Sequence, residues 1–290
     1  IDSHNTDELI RGSKAGADYL LSIKSETYHI LENLDSYPIL IPTDNDITEF
    51  YKLIDRALDD ELIFIADPIL DPISYGFTDS LVRYVNLREK YPDIHIMMGL
   101  GNITELTHAD TSGINMIMLG IIEELKLNHI LTTQVSRHCS TVIRETDLAR
   151  RIIHAASENN LTPKHINDGL LVHHGHKDYA FCSDELIEMQ GNIKDKNYRI
   201  YVNDDGIHLF NKNVYKIFSD PFDFYEHLEV SDDAGHAFYL GVELARAQIA
   251  YQLQKEYQQD EELSWGCLVD KKVDNKLQSK ELGPTFKKRK

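Results

Sequence analysis

Short apolar runs alternate with helix-length stretches through residues 1–160, and that alternation leaves few folds open. The runs fall at 19–23, 37–42, 62–66, 94–98 and 129–133, and each stops abruptly in polar or special residues. Ile1-Asp2 reads as the end of one further strand. Runs this short fit strands buried on both faces, as in a parallel sheet. The intervening stretches carry helix signals. Thr6 is placed to cap TDELIRGSKAGA; a helix is expected between 23 and 37; ITEFYKLIDRALDD follows. Thr78 is placed to cap TDSLVRYVNLREK, with Leu81, Val82, Val85 and Leu87 as its apolar face and Pro92 as its stop. A helix from Ser112 and one over 146–158 complete the set. Strand, helix, strand repeated in this way predicts parallel crossovers and an α/β fold.

Such units bring the residues at the strand C-termini to one mouth. Asp2, Asp67 and Asn102 are the residues so placed, with Ser22, Thr43, Glu105 and Gln134 as further lining candidates. A carboxylate beside a carboxamide offers acceptors and a donor to a flat, amide-rich heterocycle. Each such residue alone is more simply a helix or turn cap, and Asp-Pro is common turn chemistry. Three at strand mouths favour a site when taken with the family resemblance given below. The second Asp-Pro, Asp71-Pro72, reads as loop structure.

From 161 the texture changes. Residues 161–180 read as a linker around Pro163. His173, His174 and His176 within it read as a surface cluster, because adjacent histidines diverge and no carboxylate or Cys stands at ligand spacing. YRIYVN, Asp204-Asp205-Gly206 and IHLFN form a hairpin signal, and Asn211-Lys212-Asn213 a second turn. A short helix over 222–228 and a long one over 234–257 follow, the latter with Phe238, Leu240, Val242, Leu244, Ile249 and Leu253 as apolar positions. His236 and Glu243 lie on its one side as structural contacts, and Trp265 as an aromatic anchor. Residues 181–269 are thus an α+β domain, and 270–290 a polar tail expected to be disordered.

The formal charge of −18, from 30 basic and 48 acidic residues, disfavours nucleic acid and anionic membrane surfaces. No run of 18 apolar residues is present. Three scattered cysteines argue for a reducing compartment and no zinc ribbon, and a polar start without a signal-peptide pattern adds to the expectation of a cytoplasmic protein.

Asp67-Pro68 with Gly76-Phe77, and the segment GLGNITELT, resemble the pterin-binding barrel proteins: the first looks like a strand of dihydropteroate synthase, the second like one of pterin-dependent methyltransferases. With HAFYLGVELARAQIA, they make the whole chain resemble an archaeal-type family of dihydropteroate synthase-related proteins. The resemblance implies the C-terminal six-strand part of a TIM-type (β/α)8 pterin-binding barrel, with two strands upstream of Ile1, followed by the small α+β domain. An open doubly wound sheet is the alternative; no GxGxxG or GxxxxGK[ST] supports it. The resemblance further implies a reduced pterin, of folate or methanopterin type, as substrate or ligand in one-carbon metabolism or biosynthesis. Asp2 and Asp67 would bind its ring, and Asn102 would reach the N5 side.

The sequence departs from the synthase where the pyrophosphate is held. The seventh strand lacks the synthase Lys, and the eighth reads Thr132-Thr133-Gln134 in place of Arg-x-His. Arg137 and His138 are the nearby candidates for an anion contact, with a loop or cap as the simpler role. Pyrophosphate chemistry without a cation lacks its main electrostatic support. Three readings stay open: a synthase-like transferase, methyl transfer from N5 to a corrinoid partner, and a non-catalytic pterin-binding or assembly protein. A homodimer remains open, and no metal is implied.

Overall fold

A computed structural model describes residues 1–175 and 177–270; His176 and residues 271–290, and with them the expected tail, lie outside the described residues. The chain divides into two compact units, Ile1–Leu170 and the residues from Leu171 onward. The expected linker 161–180 is therefore shared between units rather than standing apart.

In the first unit α1 (Thr6–Lys14) leads to β1 (Tyr19–Ile23), a 3-10 helix (Tyr28–Asn33) and β2 (Tyr37–Leu40). Then come α2 (Ile47–Asp59), β3 (Ile65–Ala66), α3 (Phe77–Lys90), β4 (His95–Gly99) and the one-turn α4 (Gly101–Thr104). α5 (Thr111–Glu124), β5 (His129–Leu131) and α6 (Val142–Glu158) complete it. The five strands are parallel and lie in sequence order, β1-β2-β3-β4-β5. Asp2 adds a single parallel bridge to Leu21 on the outer side of β1, short of the sixth strand expected there. An open doubly wound sheet reverses its order at a switch point; this one does not.

Alternation along the strands sorts the core. Leu20, Leu40, Ala66, Ile96 and Met98 pack on the helix side with Phe50, Ile54, Leu87 and Met118. Ile39, Ile65 and Met97 lie buried on the other face with Leu21 beside them. Period-2 alternation delivers both sets from near-continuous apolar runs.

Several local expectations differ. Asn5, not Thr6, caps α1, its side chain accepting from the N–H groups of Asp7 and Glu8. α3 begins after Gly76, whose φ of 107° suits a residue without Cβ, and Thr78 caps nothing. Its buried face is Ser80, Tyr84 and Leu87, while Val82 and Val85 are exposed. β3 is two residues long, and Ile63 at 70% exposure lies outside it. The helix expected from residue 146 starts at Val142.

The second unit holds α7 (Ser183–Gly191), β6 (Arg199–Asn203), β7 (Gly206–Phe210), β8 (Tyr215–Phe218), a 3-10 helix (Pro221–His227) and α8 (Ala234–Gln252). β6-β7-β8 is antiparallel, and Asn203 pairs with Gly206 across the two-residue turn Asp204-Asp205, as the hairpin signal predicts. Ile200, Val202, Ile207 and Leu209 pack with Leu240, Leu244, Ala247 and Ala250 of α8. Phe238, expected in that core, is 76% exposed instead. Glu243 is buried and satisfied: it takes Arg246 at 2.7 Å, Tyr257 Oη at 2.8 Å and Asp260 N–H at 3.2 Å. Among the described residues no helix is long and apolar enough to cross a membrane.

Lys255 is buried without a carboxylate partner among its contacts. Its Nζ donates to Val172 O at 2.5 Å and Ser264 O at 2.7 Å, and lies 4.6 Å from the Trp265 ring centre. It ties the first residues of the unit to the Ser264-Trp265 segment, where Trp265 was expected to serve as an anchor. Burial pushes its pKa down. Lys255→Met is expected to leave two carbonyls unpaired and to cost about 2 kcal/mol in urea unfolding, since stranded buried acceptors cost about 1–3 kcal/mol each and the methionine recovers part by packing.

Candidate functional site

Parallel strands bring their C-terminal ends to one rim. Asp67 N–H donates to Leu40 O at 2.8 Å, and Leu100 N–H to Leu131 O at 2.8 Å, so both chain segments leave the sheet on the same side. Asp67 and Asn102 follow the C-termini of β3 and β4, whereas Asp2 lies beside Leu21, within β1.

Asp67 and Asn102 converge on one loop. Asn102 sits in α4, one step beyond the strand, and its Nδ2 donates to Leu70 O at 2.8 Å. One of the amide's two N–H donors is thus spent on the chain, and its Oδ1 accepts no hydrogen bond among the described residues. Asp67 Oδ1 accepts from Ile69 N–H at 2.9 Å and from Tyr84 Oη at 2.9 Å. Its Oδ2 accepts no hydrogen bond among the described residues. The loop itself is strained at Ile69, a branched residue at φ 63°. Arg83 holds it, donating to Pro68 O at 3.2 Å and Ile69 O at 2.8 Å and pairing with Asp71 at 2.8 Å. Asp71 therefore has the structural role read for it.

Burial pushes the Asp67 carboxyl up to about 6, against the pull of Ile69 N–H, Tyr84 and Arg83. A buried carboxyl shifted toward neutrality at the end of a strand makes Asp67 a candidate functional group.

Asp2 stands apart from this pair. It is exposed, and Ser22 Oγ donates to its Oδ1 at 2.7 Å. Ser22 has φ 68° at the irregularity between Leu20 and Ile23, which turns the side chain onto Asp2. No hydrogen bond or ion pair joins Asp2 to Asp67 or Asn102 among the described residues.

The loop after β5 is organised by Glu105. Its carboxylate accepts from Val135 N–H and Ser136 N–H, each at 2.8 Å, and from Thr133 Oγ1 at 3.1 Å. Those N–H groups, Val135 first, hold its pKa down at about 2. Gln134 turns away, donating to Ser140 O at 2.8 Å. Arg137 is exposed on a 3-10 helix (Arg137–Cys139), and His138 Nε2 lies 3.0 Å from Thr104 O. His138 thus reaches the last carbonyl of α4, while Arg137 stays exposed. Thr43 Oγ1 and Thr132 Oγ1, at the ends of β2 and β5, are shut off from solvent and have no partner among the described residues.

Sequence reasoning missed Tyr84 and Arg83. Both lie in α3, more than ten residues from the atoms they hold, and no short-range pattern marks them.

Cavities of about 610 and 420 Å3 open in the second unit. The larger is walled by Asp178, Asp204, Asp205 and Ser183, with Tyr179 and Phe181 among its other lining residues. Among the described residues no group of three His, Cys, Asp or Glu side chains is placed to hold a metal ion. The rim of the first unit carries the more specific chemistry, because Asp67 is buried there and its bonds are directed.

The fold and rim define an α/β protein with a parallel sheet and a buried acidic group at its C-terminal edge. No family model matches the chain. It is similar to an uncharacterized protein of Methanocaldococcus jannaschii, 29% identical over 311 aligned residues that take in 91% of this chain. The chain spans 57% of that relative's length.

Proposed function

We propose that the first unit is part of a TIM-type pterin-binding barrel of the dihydropteroate synthase-related kind, and that it binds a reduced pterin at the rim. The carrying observation is the pair of acceptors left over there. Asp67 Oδ1 and one N–H of the Asn102 amide are committed to the chain, so Asp67 Oδ2 and Asn102 Oδ1 remain as acceptors for a ligand, with the second amide N–H beside them. Two acceptors suit the N–H-bearing edges of a reduced pterin: the amino-pyrimidinone edge at Asp67 and a protonated N5 at Asn102. The unpartnered hydroxyls of Thr43 and Thr132 add polar capacity at the same edge. Sequential parallel order also supports the reading, since barrels add strands one after another.

Between the chemistries, Glu105 favours use of an N5-methyl pterin, with a corrinoid partner as methyl acceptor, over pyrophosphate release. The N–H groups of Val135 and Ser136 form a ready anion cradle, and the chain's own carboxylate fills it. A pyrophosphate there would meet a fixed negative charge.

Titration of the protein with tetrahydrofolate and 5-methyltetrahydrofolate, each with and without pyrophosphate, tests the reading by calorimetry. The expected result is saturable binding that pyrophosphate does not strengthen. Synergy with pyrophosphate would restore the synthase chemistry, and absence of any pterin binding would sink the assignment.

A further inference from the structure

Tyr84 belongs to α3, not to a rim loop, and none of its surface is exposed. A phenylalanine would fill the same volume. What the hydroxyl adds is a bond to Asp67 Oδ1, the oxygen that also takes Ile69 N–H. The two oxygens of a carboxylate are equivalent until neighbours distinguish them. Here two donors converge on one, and the other is left for whatever enters the rim. The adjacent residue, Arg83, secures the backbone of the same loop through Pro68 O and Ile69 O. One helix turn thus grips both the loop and the carboxylate it carries, and it does so from outside the site.

We propose that Tyr84 is the positioning residue of the rim site: its hydroxyl reserves Asp67 Oδ1 and presents Oδ2 to the ligand, while Arg83 fixes the loop that carries it. The identity of the ligand rests on the pterin reading above; the coupling of Tyr84 to Asp67 does not. The charged and titratable groups facing Asp67 are Tyr84 and Arg83 from α3 and, from the loop, Asp71, which is paired with Arg83. Leu40, at the end of β2, and Gly99, at the end of β4, bring no titratable side chain. A donated hydroxyl stabilises the ionised carboxylate. Its removal therefore moves Asp67 toward the neutral form at a given pH.

The test compares the wild-type protein with Tyr84→Phe and Arg83→Met. The Asp67 side-chain carboxyl is followed by carbon NMR across pH, and tetrahydrofolate binding is measured over the same range. Tyr84→Phe is expected to raise the midpoint of the Asp67 titration by about one unit, and to weaken binding at pH 7 about tenfold, the size of one hydrogen bond to a charged group. Arg83→Met is expected to raise the same midpoint through loss of charge. If Tyr84→Phe lowers stability but leaves both the Asp67 titration and the pH profile of binding unchanged, Tyr84 only packs and the proposal falls. If the wild-type protein does not bind tetrahydrofolate, the pterin reading fails, while the carboxyl titration still decides the role of Tyr84.

Discussion

Asp67→Asn is expected to stabilise the fold by about 3 kcal/mol at pH 8 and to abolish reduced-pterin binding. The carboxyl is buried, and its folded pKa stands at about 6 against an ordinary 3.8. Below pH 3.8 it is neutral in both folded and unfolded chains, and burial costs nothing extra. Between 3.8 and about 6 the unfolded chain ionises first, so stability falls as pH rises. Above about 6 the full cost of the buried charge is present. Asparagine carries no charge, and its Oδ1 still accepts from Ile69 N–H and Tyr84. The variant's advantage should therefore be present at pH 8, shrink through that window and vanish below pH 4. Urea unfolding at pH 4, 6 and 8 measures it, and calorimetry with tetrahydrofolate reads the binding. A variant less stable than wild type at pH 8 would show that the carboxylate is net favourable, and that burial does not dominate its energetics. A variant that still binds would remove Asp67 from the site.

Asp67 and Asn102 were legible because an apolar run that stops at a polar residue is a local pattern, and parallel topology then fixes the rim. The hairpin at Asp204-Asp205 was legible for the same reason: turn chemistry is written in neighbouring residues. What escaped depends on distance or on which side of a helix a residue faces. Val82 and Val85 were counted in the α3 stripe as apolar letters, yet the buried face runs through Ser80, Tyr84 and Leu87. Tyr84 reads as an ordinary aromatic until the fold brings its hydroxyl to Asp67, 17 residues earlier. The use of Asn102 changed for a related reason. After β4 the chain turns directly into a one-turn helix, so the amide was drawn to Leu70 O rather than left wholly free. The pairing of Glu105 with the 133–136 loop is likewise a contact between successive rim loops, invisible to any pattern within one of them.

Glu145 is the extreme case of such a hidden contact, and its removal should produce the largest loss of stability in the first unit. It lies in α6, is 1% exposed, and has no cation beside it among its hydrogen-bond partners. Three neutral donors hold it: Thr111 Oγ1 at 2.7 Å, Asn115 Nδ2 at 2.9 Å and Thr141 Oγ1 at 2.7 Å. Thr146 Oγ1 extends the network to Asn115 Oδ1 at 3.3 Å. The carboxylate thus joins α5 to α6 by polar contacts inside an otherwise apolar seam. Glu145→Leu strands those donors in the interior. Each unsatisfied buried group costs about 1–3 kcal/mol, partly offset by the buried leucine, so a loss of about 4 kcal/mol is expected. Against a typical total of about 5–15 kcal/mol, that approaches the limit of folding. Glu145→Gln keeps one oxygen but turns an amide toward a donor, and should lose about half as much. Pairing Glu145→Leu with Asn115→Leu should recover about 2 kcal/mol, because the stranded amide is removed with its partner. Urea midpoints of the single and double variants measure this. If Glu145→Leu loses less than about 1 kcal/mol, water replaces the carboxylate and the seam is held by its apolar contacts alone.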